Sequence, residues 1–540
     1  MRNGSGAARR RTRLRAVFQV LLVGALVLVV LVGGLVVWST GRDIYAPVWM
    51  RTQIETRLAQ SMPSTTVAFG DIVMILDEGW RPRVRVRDVR VADSAGAEIV
   101  TFSEVRASLA MQPLFSGALE LKSLDLSGVI VTLRRSRDGR IALSSGAGSG
   151  GVAREASNLA QLITELDDVL LLPVLSSLNR VGLRALTLRY EDERAGRAWT
   201  ADGGRLRMTR DGTDVNFAAD LAVLSGGAQA ATLEANYTGK IGSSAADFGI
   251  KFADVLAADI AEQSPAFAWL GALQAPISGS LRSGVDEGGK ISPLSATLQI
   301  GAGVIRPNLE TQPIPIDGAR SYFSYLPEDQ KLRFDELSVS SKWGTARLEG
   351  EATLTGVDAG ALTDLVGQFR LSDITINPSN LYHEPVSIEG AELDFRLKPK
   401  PFRLELARLQ IADQGQTLTV DGSLNAEPTG WAVRVDAMME AITPERLLAL
   451  WPERVAGKTR SWLSQNLIRG ALANTVFALR WEPGALPQTY LGFEFDDTDV
   501  RFLPNMPPIE QARGHVSLLA KRFVLSVDKG HVTAPEGGQL

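Results

Sequence analysis

The chain has 540 residues, 45% apolar and 22% charged, the balance of a folded protein long enough for several domains. A net charge of −4 provides no global field to recruit nucleic acid or anionic lipid. The absence of cysteine excludes disulfides, thiolate nucleophiles and thiolate metal ligands.

Residues 1–15 are a basic head in which six arginines precede any acidic residue. Residues 16–38, "AVFQVLLVGALVLVVLVGGLVVW", contain one strongly polar side chain, Gln19, and suffice to cross a bilayer core as a helix. A cleaved signal peptide is the alternative, but its apolar core would be shorter and end in a small-residue cleavage site. The reading adopted is an uncleaved, single-pass anchor. Its arginines hold the N-terminus in the cytoplasm and place everything after Trp38 on the far side.

Residues 39–143 read as a first strand unit, after a short helix over 43–61. Two stretches set its pattern. "VRVRDVRVAD" carries Val84, Val86, Val89 and Val91, and "LELKSLDLSG" carries Leu119, Leu121, Leu124 and Leu126. Alternation with period two makes a strand with one apolar face. The two-residue step in the middle would send the second half to the other face, and a β-bulge restores it while adding bend and twist. The same spacing recurs at Leu332, Phe334, Leu337 and Val339, and at Leu404, Leu406, Leu409 and Ile411, with a shorter echo at Leu186 and Leu188. These residues predict a curved antiparallel sheet with one continuous apolar face. A β-sandwich, in which a second sheet covers that face, is the simpler packing alternative.

Residues 144–182 read as a Gly/Ser linker, "SSGAGSGG", followed by an amphipathic helix; 183–252 return to strands. Residues 253–281 read as a helical insert, 282–441 as strands and 442–472 as a second helical insert. In that second insert, Thr443 followed by Pro444 is a helix start, and Pro452 opens a second helix. Residues 473–540 are strands again and stop at "HVTAPEGGQL", as if cut inside a strand unit.

Side chains for chemistry are sparse. The three histidines, His383, His515 and His531, have no ligand spacing around them, and they read as surface or turn residues. No G-x-S-x-G elbow is present. "GKT" at Gly457 lacks the earlier glycine of a phosphate loop. The sequence therefore predicts no enzyme, no metal, no cofactor and no nucleic-acid partner.

The order of these patterns resembles a known family. "RVRDVRVADSAG" with "LFSGALELKSLDLSGVIVTLRRSRDGRIAL" is similar to the start of the AsmA-like superfamily. "ITPERLLALWPERVAGKTRSWLSQNLIRGAL", "WEPG" and "GFEFDDTDVRFLP" resemble its YhdP branch. The resemblance implies a mainly β fold: one transmembrane helix, then a long, curved, U-shaped antiparallel sheet with a few helical inserts. It also implies an elongated apolar groove, location in the inner membrane of a Gram-negative bacterium, and a periplasmic bulk. The partners it implies are phospholipid acyl chains and, at the outer-membrane end, other envelope proteins. Members usually run longer than this chain. Two alternatives stand beside this reading: a scaffold for outer-membrane proteins that pairs edge strands, and a periplasmic enzyme with an unrecognised site.

Overall fold

Alternating sequence predicts strands, and the chain is mainly β with mostly antiparallel pairing. The structure is a computed structural model that describes residues 65–76, 82–93, 98–110, 120–137, 141–145, 154–156, 175–193, 197–224, 231–262, 265–503, 505–519, 522–533 and 537–538, with positions 44–45, 48, 112, 163, 167–168 and 170–171. The apolar segment 16–38 lies outside the described residues. Among those described, no helix is long and apolar enough to cross a membrane. The chain divides into two units, Met1–Leu221 with Thr238–Ser243, and Ala222–Tyr237 with Ser244–Leu540.

In the first unit, β1 (Ile72–Leu76), β2 (Pro82–Asp93), β3 (Glu98–Leu109) and β4 (Leu121–Ser127) pair antiparallel in sequence order. Ile44–Tyr45, expected to begin a helix, instead pair as a strand with Val73 and Met74. The next departure is parallel pairing. β6 (Arg180–Asp192) lies parallel to β4 and to β5 (Ile130–Arg135), and β7 (Arg197–Asp211) follows it antiparallel. Parallel neighbours need a long crossover, and residues 136–179, which include the expected linker, supply it. Just past that linker, in the stretch expected to lead into the helix, Arg154–Ala156 is strand, paired with Ile141–Leu143. On its way back the crossover contributes Leu170 and Leu178, which pack with Met208 and Val215 and against Leu121 and Leu124.

The second unit is a meander. Its strands are β8 (Ala246–Leu256), β9 (Pro276–Val285), β10 (Leu294–Ile300), β11 (Gly318–Leu326) and β12 (Lys331–Ser341). They continue as β13 (Gly344–Thr355), β14 (Asp364–Ile376), β15 (Gly390–Pro399), β16 (Phe402–Asp413) and β17 (Gln416–Glu427). The last are β18 (Gly430–Ile442), β19 (Leu467–Trp481), β20 (Gln488–Val500), β21 (Ile509–Leu519) and β22 (Arg522–Val532). Each pairs antiparallel with the one before it.

Two of the two-residue steps are bulges in the second unit, whereas across Val86–Val89 in the first the ladder with β3 keeps its register. The ladder slips between Phe334 and Leu337 and between Leu406 and Leu409, so the apolar residues on both sides of each step share a face. In other strands the bulge holds a residue with positive φ: Ala185, Asp254, Asp373, Asn474, Asp497 and Gln511. Short Asp and Asn side chains tolerate that conformation best among residues with a Cβ.

Both helical inserts are shorter than expected. The first is α1 (Ala257–Ala261) followed by 3-10 turns over Pro265–Ala272. Val255 and Leu256 remain paired to Ile277 and Pro276, which keeps the flanks in the ladder. In the second, α2 (Pro444–Leu450) starts as predicted, with the Thr443 hydroxyl accepting from the Arg446 N–H at 3.2 Å. However, α3 (Gly457–Asn466) begins five residues after Pro452, which opens a turn closed by the Val455 N–H on its carbonyl, and Ala456 at φ 47° then caps the helix. β19 then starts at Leu467, inside the expected insert.

Candidate functional site

Register aligns the predicted apolar residues into rungs across each unit. In the first unit, one rung runs Ile72, Val86, Val105, Leu126, Leu183, Leu206, and the next runs Met74, Val84, Ala107, Leu124, Val181, Met208. Val84, Val86, Val89, Leu121, Leu124, Leu126 and Leu188 are half-buried, and Leu186 is buried. Val91 lies in β2, and Leu119 falls outside the described residues.

In the second unit a single rung can be followed across twelve strands. It passes from Phe323 through Phe334, Gly350, Phe369, Leu393, Leu409, Val420, Ala437, Phe477, Leu491 and Leu518 to Phe523. Gly350 sits between two phenylalanines at φ 154°, and a Cβ there would meet the Gln368 carbonyl at 2.1 Å. Its missing side chain lets the Phe334 and Phe369 rings meet edge to face at 5.4 Å, and Phe369 stacks on Phe395 at 5.3 Å.

Protein covers this face at two places. The first insert contributes Phe267 and Leu270 to the buried cluster that holds Leu332 (0% exposed) and Phe334 (6%), its Trp269 meets the Phe334 ring at 6.3 Å, and Leu337, Leu404 and Leu406 flank that cluster. Those two residues therefore sit in a protein core, not on an open wall. The helices α2 and α3 cover a second cluster that includes Met439, Leu472, Phe493 and Val516. Between the two, Leu409, Val420, Ala437 and Phe477 belong to neither cluster. Leu409, Val420 and Ala437 are half-buried, and Phe477 is 37% exposed. Val339 and Ile411 are likewise half-buried.

A loop spans the hairpin end of this stretch. Asn308 donates its amide N–H to the Glu427 carbonyl at 3.2 Å, and the Trp431 indole N–H donates to the Gln312 carbonyl at 2.7 Å. The ladder must curve for the loop after β10 to reach the β17–β18 turn. At the other end Tyr382, its phenol pushed up by burial, donates to the Leu450 carbonyl at 2.9 Å. Arg446 of α2 grips the buried Asp413 carboxylate of β16 with two bonds, 2.6 and 2.7 Å.

The opposite face of the second unit is charged and paired across strands, as in Lys331–Glu351, Arg370–Glu349 and Arg408–Asp394. Hydrogen bonds from Arg480 chiefly, then Arg434, hold the Asp436 carboxyl below its usual range. A depressed folded value means the pair stabilises above the unfolded pKa and loses that contribution as pH falls through the folded one. The carboxylate is partly exposed, so the contribution is at most about 1 kcal/mol. Arg480→Gln is expected to lower the urea midpoint slightly at pH 7 and hardly at all near pH 2. An equal drop at both pH values would contradict this assignment.

Sequence reading missed Phe369, Leu393, Val420, Ala437, Phe477 and Leu491. Most of these lie on stretches of plain alternation, such as "TLTVDGSL" and "WAVRVDAMM", which a search for the two-residue step passes over. Among the described residues no group of three or more His, Cys, Asp or Glu side chains is placed to hold a metal ion. In comparisons with known proteins, no protein family, curated protein or solved structure matches this chain.

Proposed function

We propose that this chain is an inner-membrane-anchored periplasmic bridge that carries phospholipid along an apolar β-groove towards the outer membrane. The observation that carries the proposal is the uncovered stretch of the second unit's apolar face at Leu409, Val420, Ala437 and Phe477, between two clusters that protein does cover. An acyl chain laid there is shielded at roughly 0.8 kcal/mol per CH₂. Contacts of this kind have no direction, so the tail slides from rung to rung while its headgroup stays in water. The spacing motifs likened to the AsmA-like superfamily, and the arginine-flanked apolar segment 16–38, support a U-shaped groove and a single-pass anchor.

A photoreactive benzoylphenylalanine at Leu409 tests this directly. In cells it is expected to capture phospholipid, whereas the same group at Asp421, an exposed residue on the charged face, is not. Adducts at both positions, or at neither, would refute the proposal. A second reading, a scaffold for outer-membrane proteins, draws on β22, which pairs on one side only among the described residues. It predicts protein adducts along Arg522–Val532 and no lipid at Leu409.

A further inference from the structure

The polar face of the first unit carries a feature that the apolar face does not explain. Two neighbouring rungs, Arg106–Asp125–Gly182–Arg207 and Ser108–Ser123–Arg180–Thr209, form the floor of a concavity of about 620 Å³. Arg184 and Arg205 also line it. Six arginines in all line it, against two aspartates, in a chain whose net charge is −4.

Arg106 is already engaged by Glu104, and that hydrogen bond holds the Glu104 carboxyl below its usual range. Arg180, Arg184, Arg205 and Arg207 are exposed and make no ion pair among the described residues. Like charges lining one hollow repel one another, and the two aspartates offset only part of that charge. The floor is shaped to admit a ligand. A Cβ on Gly182 would meet the Asp125 carboxylate at 2.5 Å, so the glycine leaves that carboxylate its room in the lining of the hollow. Beside it the Ser108 and Ser123 hydroxyls lie 2.6 Å apart. One proton joins the two oxygens and the other remains to donate.

We propose that this concavity binds a phosphate-bearing anion. Guanidinium forks match phosphate oxygens two at a time, and several together suit a group with more than one negative charge. An acyl chain on the apolar face could not place its own headgroup here, because the two faces are opposite. The site therefore stands independently of the lipid-bridge reading. The phosphate can come from a soluble molecule or from an anionic lipid headgroup, and the shared chemistry is the phosphate.

The test uses the full chain in phosphatidylcholine nanodiscs, with arginine modification by phenylglyoxal read by mass spectrometry. Inorganic pyrophosphate is expected to slow modification of Arg180, Arg184, Arg205 and Arg207, and to leave the exposed Arg501 unaffected. Arg180→Gln with Arg207→Gln is expected to weaken pyrophosphate binding by about tenfold or more, with unchanged circular dichroism. Nanodiscs containing phosphatidylglycerol, without pyrophosphate, separate the sources: protection there assigns headgroups as ligands, and protection by pyrophosphate alone assigns a soluble one. No protection by either probe, equal protection of Arg501, or unchanged affinity in the folded double variant would each overturn the proposal.

Discussion

Leu332→Arg is expected to abolish the folded second unit, whereas Leu409→Arg is expected to leave it standing and empty it of lipid. The two leucines lie on the same apolar face and belong to the same recurring strand pattern, and they differ in what covers them. Leu332 is fully buried in the cluster that the first insert joins. An arginine there has no path to water, and an unpaired buried charge costs several kcal/mol. That rivals the whole stability of a domain, roughly 5–15 kcal/mol. Leu409 is half-buried and belongs to neither covered cluster. An arginine stem can lie along the wall there with its head in water. Abundance, circular dichroism and co-purified phospholipid measure the contrast. Equal collapse of both variants would show that the Leu409 region is core. A folded Leu409→Arg protein with undiminished lipid would show that the tails lie elsewhere.

Arg446→Ala is expected to be the most damaging single truncation in the helical cap. It strands the Asp413 carboxylate, whose side chain is 5% exposed, without its only charged partner among the described residues. Breaking a buried pair from one side costs about 3–5 kcal/mol. Removing the neighbouring Thr443 cap costs about 1 kcal/mol. Hydrogen exchange across residues 444–466 and the urea midpoint report both changes. The double change Asp413→Asn with Arg446→Met should recover most of the loss, because neither partner is then left charged and alone. If Arg446→Ala proved no worse than Thr443→Ala, the pair would not be what docks α2.

What was legible in the sequence was periodic. Alternation located the strands, and the two-residue step located the bulges at Phe334–Leu337 and Leu406–Leu409, because a face must be kept through the kink. The cap at Thr443 was legible because its hydroxyl acts on a backbone N–H three residues away. Features set by distant partners were not. Nothing near Leu332 announces that Leu270 of the first insert will share its buried cluster, so covered and uncovered stretches of one face look alike in sequence. The parallel placement of β6 depends on where a crossover returns. The arginine concavity gathers residues from several strands, each of which, taken singly, is an ordinary polar-face position.

The loop that joins Asn308 to Glu427 and Gln312 to Trp431 has a consequence in time. Every strand from β9 to β22 pairs with its predecessor, so the unit's contacts are local despite its size, and local contacts form early. As the chain is synthesised, each strand can zip onto the one already laid down, leaving one growing edge at any moment. The two bonds of the loop are different, because each joins positions 119 residues apart. They cannot form until about eight strands have been added and have curved back far enough. The unit is thus assembled as an open ribbon and latched afterwards, and the latch records that the curvature came out right.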